Sequence, residues 1–209
     1  MEFITPIFKW IHIIAGVLWI GLLYFFNWIN GHVAATMDGD TKKKVVPELM
    51  PRALYFFRWG AAWTWVTGMV LLLLVYWMQM NDSMFRELGI GEEASKFKHV
   101  AYLIPFIMVF VYDAFYKSSL AENTRVATIT SFMGIAGVLC LLICVSQMTS
   151  YRAYNIHLGT MFGSMMAFNV WYRIWPAQQR IITAIKNGDA PNPADAGMAG
   201  LRSKHNTYM

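Results

Sequence analysis

Charged residues are scarce in this chain: Asp, Glu, Lys and Arg make up 14% of its 209 residues, against about 25% in an average soluble domain. Hydrophobic residues make up 57% of the sequence, and the charges cluster in a few segments between long apolar stretches. These proportions exclude a disordered chain and a soluble enzyme domain. They indicate a membrane protein.

Cysteine is also scarce. Cys140 and Cys144 lie four residues apart in an apolar stretch, which places both on one face of a helix. Their number and position exclude a disulfide framework, and we interpret them as small packing residues. The sequence contains no Cys-x-x-Cys-His motif for covalent haem attachment.

The net charge is +5, but we expect no nucleic-acid partner. In a protein that crosses the membrane several times, an excess of Lys and Arg records which loops face the cytoplasm. The expected surroundings are therefore the lipid bilayer of the bacterial inner (cytoplasmic) membrane.

The hydrophobic segments predict an all-α, multi-pass transmembrane bundle. Crossing a hydrocarbon core of about 30 Å takes roughly 20 helical residues, and runs such as residues 66–75 do not alternate as barrel strands do. About five spans are predicted, near residues 4–30, 53–80, 99–116, 126–148 and 151–175. We predict a five-helix domain over 1–175 and a cytoplasmic tail over 176–209, formed by an amphipathic helix followed by a loop.

The basic residues predict the orientation of this bundle. Twelve of the 17 Lys and Arg residues fall in or beside the 31–52 loop, the 117–125 loop and the tail. By the positive-inside rule these segments are cytoplasmic, the N-terminus is outside and the C-terminus is inside.

Two histidines fall inside predicted spans, where an ionisable residue suggests function. His12 and His157 both lie about 9–12 Å below the outer surface, and two imidazoles at one depth are what six-coordinate haem b requires. Gly16, Gly159 and Gly163 leave bare backbone beside them, where a flat macrocycle could lie. The alternative is that the histidines are hydrogen-bonded packing residues and that the two later glycines form a helix-packing motif.

Three further residues are secondary candidates. His99, at the outer end of the third span, is either a surface histidine or a contact for a second site, a quinone or a partner. Arg58 and Asp113 lie near one depth on consecutive spans, so we predict an ion pair, with snorkelling of the Arg58 side chain as the alternative. Such a pair could hold a propionate or substrate group, or only fix helix packing.

Six motifs occur in an order that resembles the membrane domain of the bacterial cytochrome-c-linked urate oxidase (urate hydroxylase) family. They are WIHIIAGVLWIG at 10–21, FRWGAAWTWVTG at 57–68, VYD at 111–113, HLGTMFGSMMAFNV at 157–170, IWPAQQR at 174–180 and RSKHNTY at 202–208. The resemblance implies redox chemistry, with His12 and His157 on the family's motif positions and electrons leaving on the outer side to a cytochrome c.

The chain departs from the family pattern in two ways. Gly60 stands where we expect an acidic residue, and the Cys-x-x-Cys-His motif of the cytochrome domain does not occur. We therefore expect that the chain alone does not oxidise urate at an enzyme-like rate.

Three functions remain open from the sequence. The first is a haem b-binding or accessory membrane subunit of a respiratory or photosynthetic electron-transfer complex. The second is a membrane oxidoreductase that oxidises urate, or a similar purine, and passes electrons to a separate cytochrome c. The third is a structural or transport protein without a cofactor. We expect an uncovered apolar flank on span one or five, and hence contact with other membrane subunits or a second copy.

Overall fold

The computed structural model describes residues 3–78, 100–146, 148 and 150–209. Every regular element in these ranges is a helix, which confirms the all-α prediction. The α-helices are α1 (Ile4–Thr36), α2 (Gly39–Trp77), α3 (Val100–Phe115), α4 (Thr124–Val145), α5 (Tyr151–Phe168), α6 (Trp175–Asn187) and α7 (Pro193–Tyr208), and a short 3-10 helix at Ser119–Glu122 precedes α4.

Short π-helical stretches interrupt the regular α-helical winding. They lie at Phe25–Asn30 in α1, Leu73–Trp77 at the end of α2, Leu141–Val145 at the end of α4 and Asn169–Ile174 between α5 and α6. A π-helical turn shifts the direction in which the following side chains point, and such turns are frequent at functional sites. The last of the four joins α5 and α6 into one continuous helix.

Three of the described helices are long and apolar enough to cross a membrane: α1, α2 and α4. The apolar part of α3, Tyr102–Phe115, is shorter, and the predicted span at 151–175 contains polar residues such as Arg152, Asn155 and Asn169. The structure thus supports a membrane protein, while the count of five spans and their orientation stay predictions.

By its internal packing the chain divides into two units, Met1–Gly68 with Met166–Met209, and Met69–Met165. The core of the first unit is built from helix faces with regular spacing. Trp19 and Leu23 of α1 lie one turn apart, and Leu54, Phe57 and Ala61 of α2 follow the same helical period. They pack with Met166, Ala167, Val170, Ile174 and Ile182.

The second unit contains the end of α2, then α3, α4 and most of α5. The side chain of Asn123 accepts hydrogen bonds from the backbone of Arg125 and Val126, and so caps the start of α4. The hydroxyls of Tyr116 and Ser131 lie 2.9 Å apart and link the segment after α3 to α4.

The tail differs from its prediction, because a helix stands where a loop was expected. The amphipathic α6 is followed by its C-cap residue Gly188, whose φ of +84° is a left-handed conformation that favours glycine. Asn192 then caps α7 by accepting from the backbone N–H of Ala194, with Pro193 in its first turn. The Pro-Asn-Pro sequence that indicates a turn is therefore also a helix start.

Polar contacts hold α7 against the first unit. The Asn27 amide donates to the hydroxyls of Ser203 at 2.9 Å and Thr207 at 3.0 Å. The buried Asn169 donates to the side chain of Asn206 at 2.8 Å. These bonds explain why residues 176–209 belong to the same packing unit as α1 and the first part of α2.

A salt bridge also joins α6 to α7. Arg180 donates to both carboxylate oxygens of Asp195, at 3.0 and 2.6 Å, a bidentate geometry that adds specificity. The bonded Arg180 guanidinium holds the pKa of Asp195 below its ordinary value.

Candidate functional site

His12 of α1 lies against α2. Its Nδ1 is 2.9 Å from the backbone carbonyl oxygen of Thr64 and 3.2 Å from Oγ1 of Thr67. A carbonyl oxygen only accepts hydrogen bonds, so the proton of the neutral imidazole is on Nδ1. The lone pair is then on Nε2, which has no hydrogen-bond partner among the described residues.

Two threonine hydroxyls support this arrangement from within α2. Thr67 is fully buried and its hydroxyl lies 2.6 Å from the carbonyl oxygen of Trp63. The hydroxyl of Thr64 donates to the carbonyl oxygen of Gly60 at 2.7 Å. Because the Thr67 proton is directed to Trp63, its oxygen meets His12 as a second acceptor, and the imidazole is held in one orientation.

Glycine at position 68 makes room for this imidazole. A Cβ atom built on Gly68 would lie 3.0 Å from Cε1 and 3.4 Å from Nδ1 of His12. Gly16 is also turned to α2, since its Cβ would lie 3.8 Å from Thr64. The predicted Gly159 and Gly163 have no atom within 4 Å of such a position among the described residues, so their backbone is open.

His157 of α5 is fully buried and uses both ring nitrogens. Its Nδ1 donates to the carbonyl oxygen of Ala153, one turn earlier, at 2.8 Å. Its Nε2 accepts from the indole Nε1 of Trp77 at 3.1 Å. The Trp77 ring is nearly parallel to the imidazole, with 6.4 Å between centroids, and the ring of Tyr102 lies 5.9 Å away.

The two histidines differ in how well they fit an axial haem ligand. An iron ligand must offer a nitrogen lone pair. His12 offers Nε2, with Nδ1 fixed by a backbone carbonyl, as is usual for ligating histidines. His157 fits only if Trp77 releases Nε2. The two residues belong to different packing units, so their predicted facing arrangement stays a prediction.

The three secondary candidates are Arg58, Asp113 and His99, and the structure gives separate surroundings for the first two. Arg58 lies over the ring of Trp175, with 3.9 Å from the guanidinium carbon to the ring centroid. The buried Asp113 forms an ion pair with Lys117, one turn later, at 2.9 Å. Arg58 and Asp113 belong to different units, and their mutual ion pair stays a prediction. His99 lies outside the described residues.

Within the ranges 3–78, 100–146 and 150–209, no group of three or more His, Cys, Asp or Glu side chains could hold a metal ion. Within those ranges His12 and His157 are therefore single imidazoles and not members of such a group.

Comparison with known families decides the membership of the chain. The family model described as urate oxidase N-terminal matches residues 39–209. The chain belongs to the urate oxidase N-terminal family. No curated protein and no solved structure matches it. The predicted resemblance is thereby confirmed at the level of the family.

His157, Arg58 and Gly60 lie inside the segment matched by the urate oxidase N-terminal family, whereas His12 precedes it. A Cβ on Gly60 would lie 3.3 Å from the backbone nitrogen and Cβ of Trp19. An acidic side chain at position 60 would therefore push α1 away from α2. Close helix packing explains the glycine at this position.

The sequence motifs included Thr64, Thr67 and Gly68 only as part of the family resemblance, without a role. Their spacing carried a signal, because two threonines three residues apart share a face of an apolar helix. Trp77, in contrast, lies near the end of an apolar run, where a tryptophan is typical of the membrane interface and does not indicate a histidine partner. Its bond to His157 depends on residues 80 positions apart in the chain.

Proposed function

We propose that this member of the urate oxidase N-terminal family is a membrane subunit of an electron-transfer complex, and that His12 is an axial ligand of haem b. The orientation of the His12 imidazole carries this proposal. A backbone carbonyl fixes Nδ1, Nε2 is left with its lone pair, and Gly68 supplies the space beside the ring. Haem b, when bound, carries one electron at a time.

His157 is the proposed second ligand. Its Nδ1 bond to Ala153 holds the ring in the tautomer that has its lone pair on Nε2. Trp77 then has the role of the group that must move away when Nε2 binds another partner. The open backbone at Gly159 and Gly163 is compatible with a flat group lying along this helix.

The proposed setting is the bacterial inner membrane, crossed several times, with the N-terminus outside. Support comes from the three long apolar helices and the distribution of basic residues. Many apolar side chains of α1 are exposed, among them Ile7, Trp10, Ile14 and Val17. We propose that lipid and a neighbouring membrane subunit, or a second copy of the chain, cover this flank.

An optical spectrum tests the cofactor directly. The full chain, purified from native membranes, should show b-type bands in a dithionite-reduced minus oxidised difference spectrum. His12→Ala and His157→Ala should each remove most of this signal, and His32→Ala, which changes an exposed histidine of α1, should keep it. Absence of b-type bands from the wild-type chain, with haem supplied during expression, would contradict the proposal.

The second candidate function is oxidation of urate, with electrons passed to a separate cytochrome c. The family description favours it. Urate added to the oxidised, purified chain should then reduce the b-type bands or a supplied cytochrome c. If neither is reduced, the electron-transfer subunit without its own urate chemistry is the better description.

A further inference from the structure

Arg58 occupies an aromatic cage near the start of the apolar part of α2. Its guanidinium carbon lies 3.9 Å from the ring centroid of Trp175, 5.5 Å from that of Tyr55 and 6.0 Å from that of Trp171. The indole of Trp171 also donates to the backbone carbonyl oxygen of Arg58 at 3.1 Å. Ring faces attract the cation, so the guanidinium is held in place without an acidic neighbour.

The charge of this guanidinium is not neutralised within its own packing unit, and the predicted partner Asp113 belongs to the other unit. Nε and Nη1 of Arg58 are buried and have no hydrogen-bond acceptor. Nη2 also has no acceptor in the described part of the chain, and it is the nitrogen that is not buried. A partly buried cation without an anionic partner is unfavourable, since ring contacts replace only part of its hydration. The cage therefore suits an anion that comes from outside this packing unit.

An apolar groove begins at the same aromatic residues. It has a volume of about 660 Å³ and lies between α1 and α2. Tyr55 and Trp59 line the groove, and Tyr55 also contacts the guanidinium. The rest of its wall consists of Ile11, Ile14, Ala15, Leu18, Phe56, Gly60 and Trp63. The apolar groove therefore ends beside the guanidinium of Arg58.

We propose that this groove binds one anionic phospholipid, with an acyl chain along α1 and α2 and the headgroup phosphate at Arg58. Charge complementarity selects the anion, and the apolar walls select a ligand with a hydrocarbon chain. The surrounding Trp and Tyr side chains are typical of the level at which lipid headgroups lie. The site is independent of the histidines and does not rest on the proposed haem.

Competition between two lipids with identical chains tests the charge selection. The full chain, delipidated in detergent, is mixed with equal amounts of dioleoylphosphatidylglycerol and dioleoylphosphatidylcholine, and the bound lipid is measured by native mass spectrometry. The guanidinium repels the choline cation, so we expect phosphatidylglycerol to be preferred about tenfold, equivalent to ~1.4 kcal/mol. Equal binding of the two lipids would overturn the proposal.

Matched arginine variants test whether Arg58 causes the preference for phosphatidylglycerol. Arg58→Gln should reduce the ratio to about one, and Arg58→Lys should keep part of it, because the lysine retains the charge but not the planar contact with Trp175. Arg52→Gln removes an exposed arginine from the same helix, one that pairs with Glu48, and should leave the ratio unchanged. A preference that survives both substitutions at position 58 would show that the anion binds elsewhere.

Two further experiments distinguish binding of a phospholipid from binding of a free anion. Ile14→Trp fills the groove and should reduce binding of both lipids, whereas Ile129→Trp, on the exposed face of α4, should not. Inorganic phosphate in large excess should fail to displace phosphatidylglycerol. Displacement by phosphate, or unchanged lipid binding in Ile14→Trp, would contradict a phospholipid in this groove.

Discussion

The imidazole of His157 accepts a hydrogen bond from the indole N–H of Trp77, with 3.1 Å between the two nitrogens. The acceptor is fully buried and its other nitrogen donates to Ala153. The end of α2 is thus joined to the middle of α5 by a polar bond in apolar surroundings. The same nitrogen, Nε2, is the one that an iron would require.

Replacing Trp77 by Phe should destabilise the protein by about 1–3 kcal/mol. The buried Nε2 of His157 loses its donor, and a buried acceptor left without a partner typically costs about 1–3 kcal/mol. The measurement is the thermal unfolding midpoint in detergent. Trp63→Phe, at an exposed position, is the control, and an equal shift in both variants would contradict a specific role for the bond.

The same substitution has a second consequence for the proposed haem site. Because Trp77→Phe frees Nε2 of His157, the variant should bind at least as much b-type haem as the wild type despite its lower stability. A marked loss of haem from Trp77→Phe, at a temperature where the protein stays folded, would show that the indole supports the cofactor instead of competing with it.

Gly68→Ala should displace the imidazole of His12. The added Cβ would lie 3.0 Å from Cε1, closer than ordinary contact, so the bond to Thr64 must lengthen or α1 must shift. We expect a lower unfolding midpoint and, if His12 binds haem, a reduced b-type signal. Gly137→Ala on α4 is the matched control, because its added methyl would meet no described atom within 4 Å. Equal behaviour of the two variants would contradict a crowded position 68.

Acidification should weaken the folded state through His205 of α7. Burial, aided by the nearby charges of Arg202 and Lys204, lowers the pKa of His205 from 6.5 to about 4. The unfolded chain binds the proton more readily, so this residue favours folding fully above pH 6.5 and loses that effect as the pH falls toward 4.

His205→Gln tests this linkage. Between pH 6.5 and 4.5 the unfolding midpoint of the wild type should fall more than that of the variant, whose side chain does not titrate. Parallel curves for the two proteins across this range would contradict a depressed pKa at position 205.

Reporter fusions should place Lys43 and the C-terminal tail on the cytoplasmic side. The reason is the concentration of basic residues in the segments 31–52 and 117–125 and in the tail. Alkaline phosphatase and green fluorescent protein fused at both places give opposite signals for the two compartments. A periplasmic signal from the fusion at Lys43 would reverse the predicted orientation.

Helix content was predictable because it depends on local properties. Long apolar runs without alternation predict helices in a membrane, where each backbone polar group needs a partner in its own segment. The predicted span near 126–148 corresponds to α4, and the one near 53–80 lies within α2. The prediction of a loop over 31–52 was wrong, because α1 continues to Thr36 and α2 already begins at Gly39. The end of the tail was missed because Pro and Asn are equally common in turns and at helix starts.

The contacts of the candidate site were harder to predict. That His12 lies in an apolar helix is visible in the sequence, but its acceptors on α2 are 52 and 55 residues away in the chain. The partner of His157 is 80 residues away. Which face of one helix meets which face of another depends on packing between helices, and no local pattern specifies it.

The sequence by itself determined the class of protein, its helical character and its family, and it singled out two histidines inside predicted spans. These follow from composition, hydrophobic run length and ordered motifs, which are properties of the chain before it folds. Only the tertiary structure decided that Nε2 of His12 has no hydrogen-bond partner in the described part of the chain and that Nε2 of His157 is bonded to Trp77. It also decided that Arg58 lies in an aromatic cage, because each of these states depends on atoms that folding brings together from distant parts of the chain.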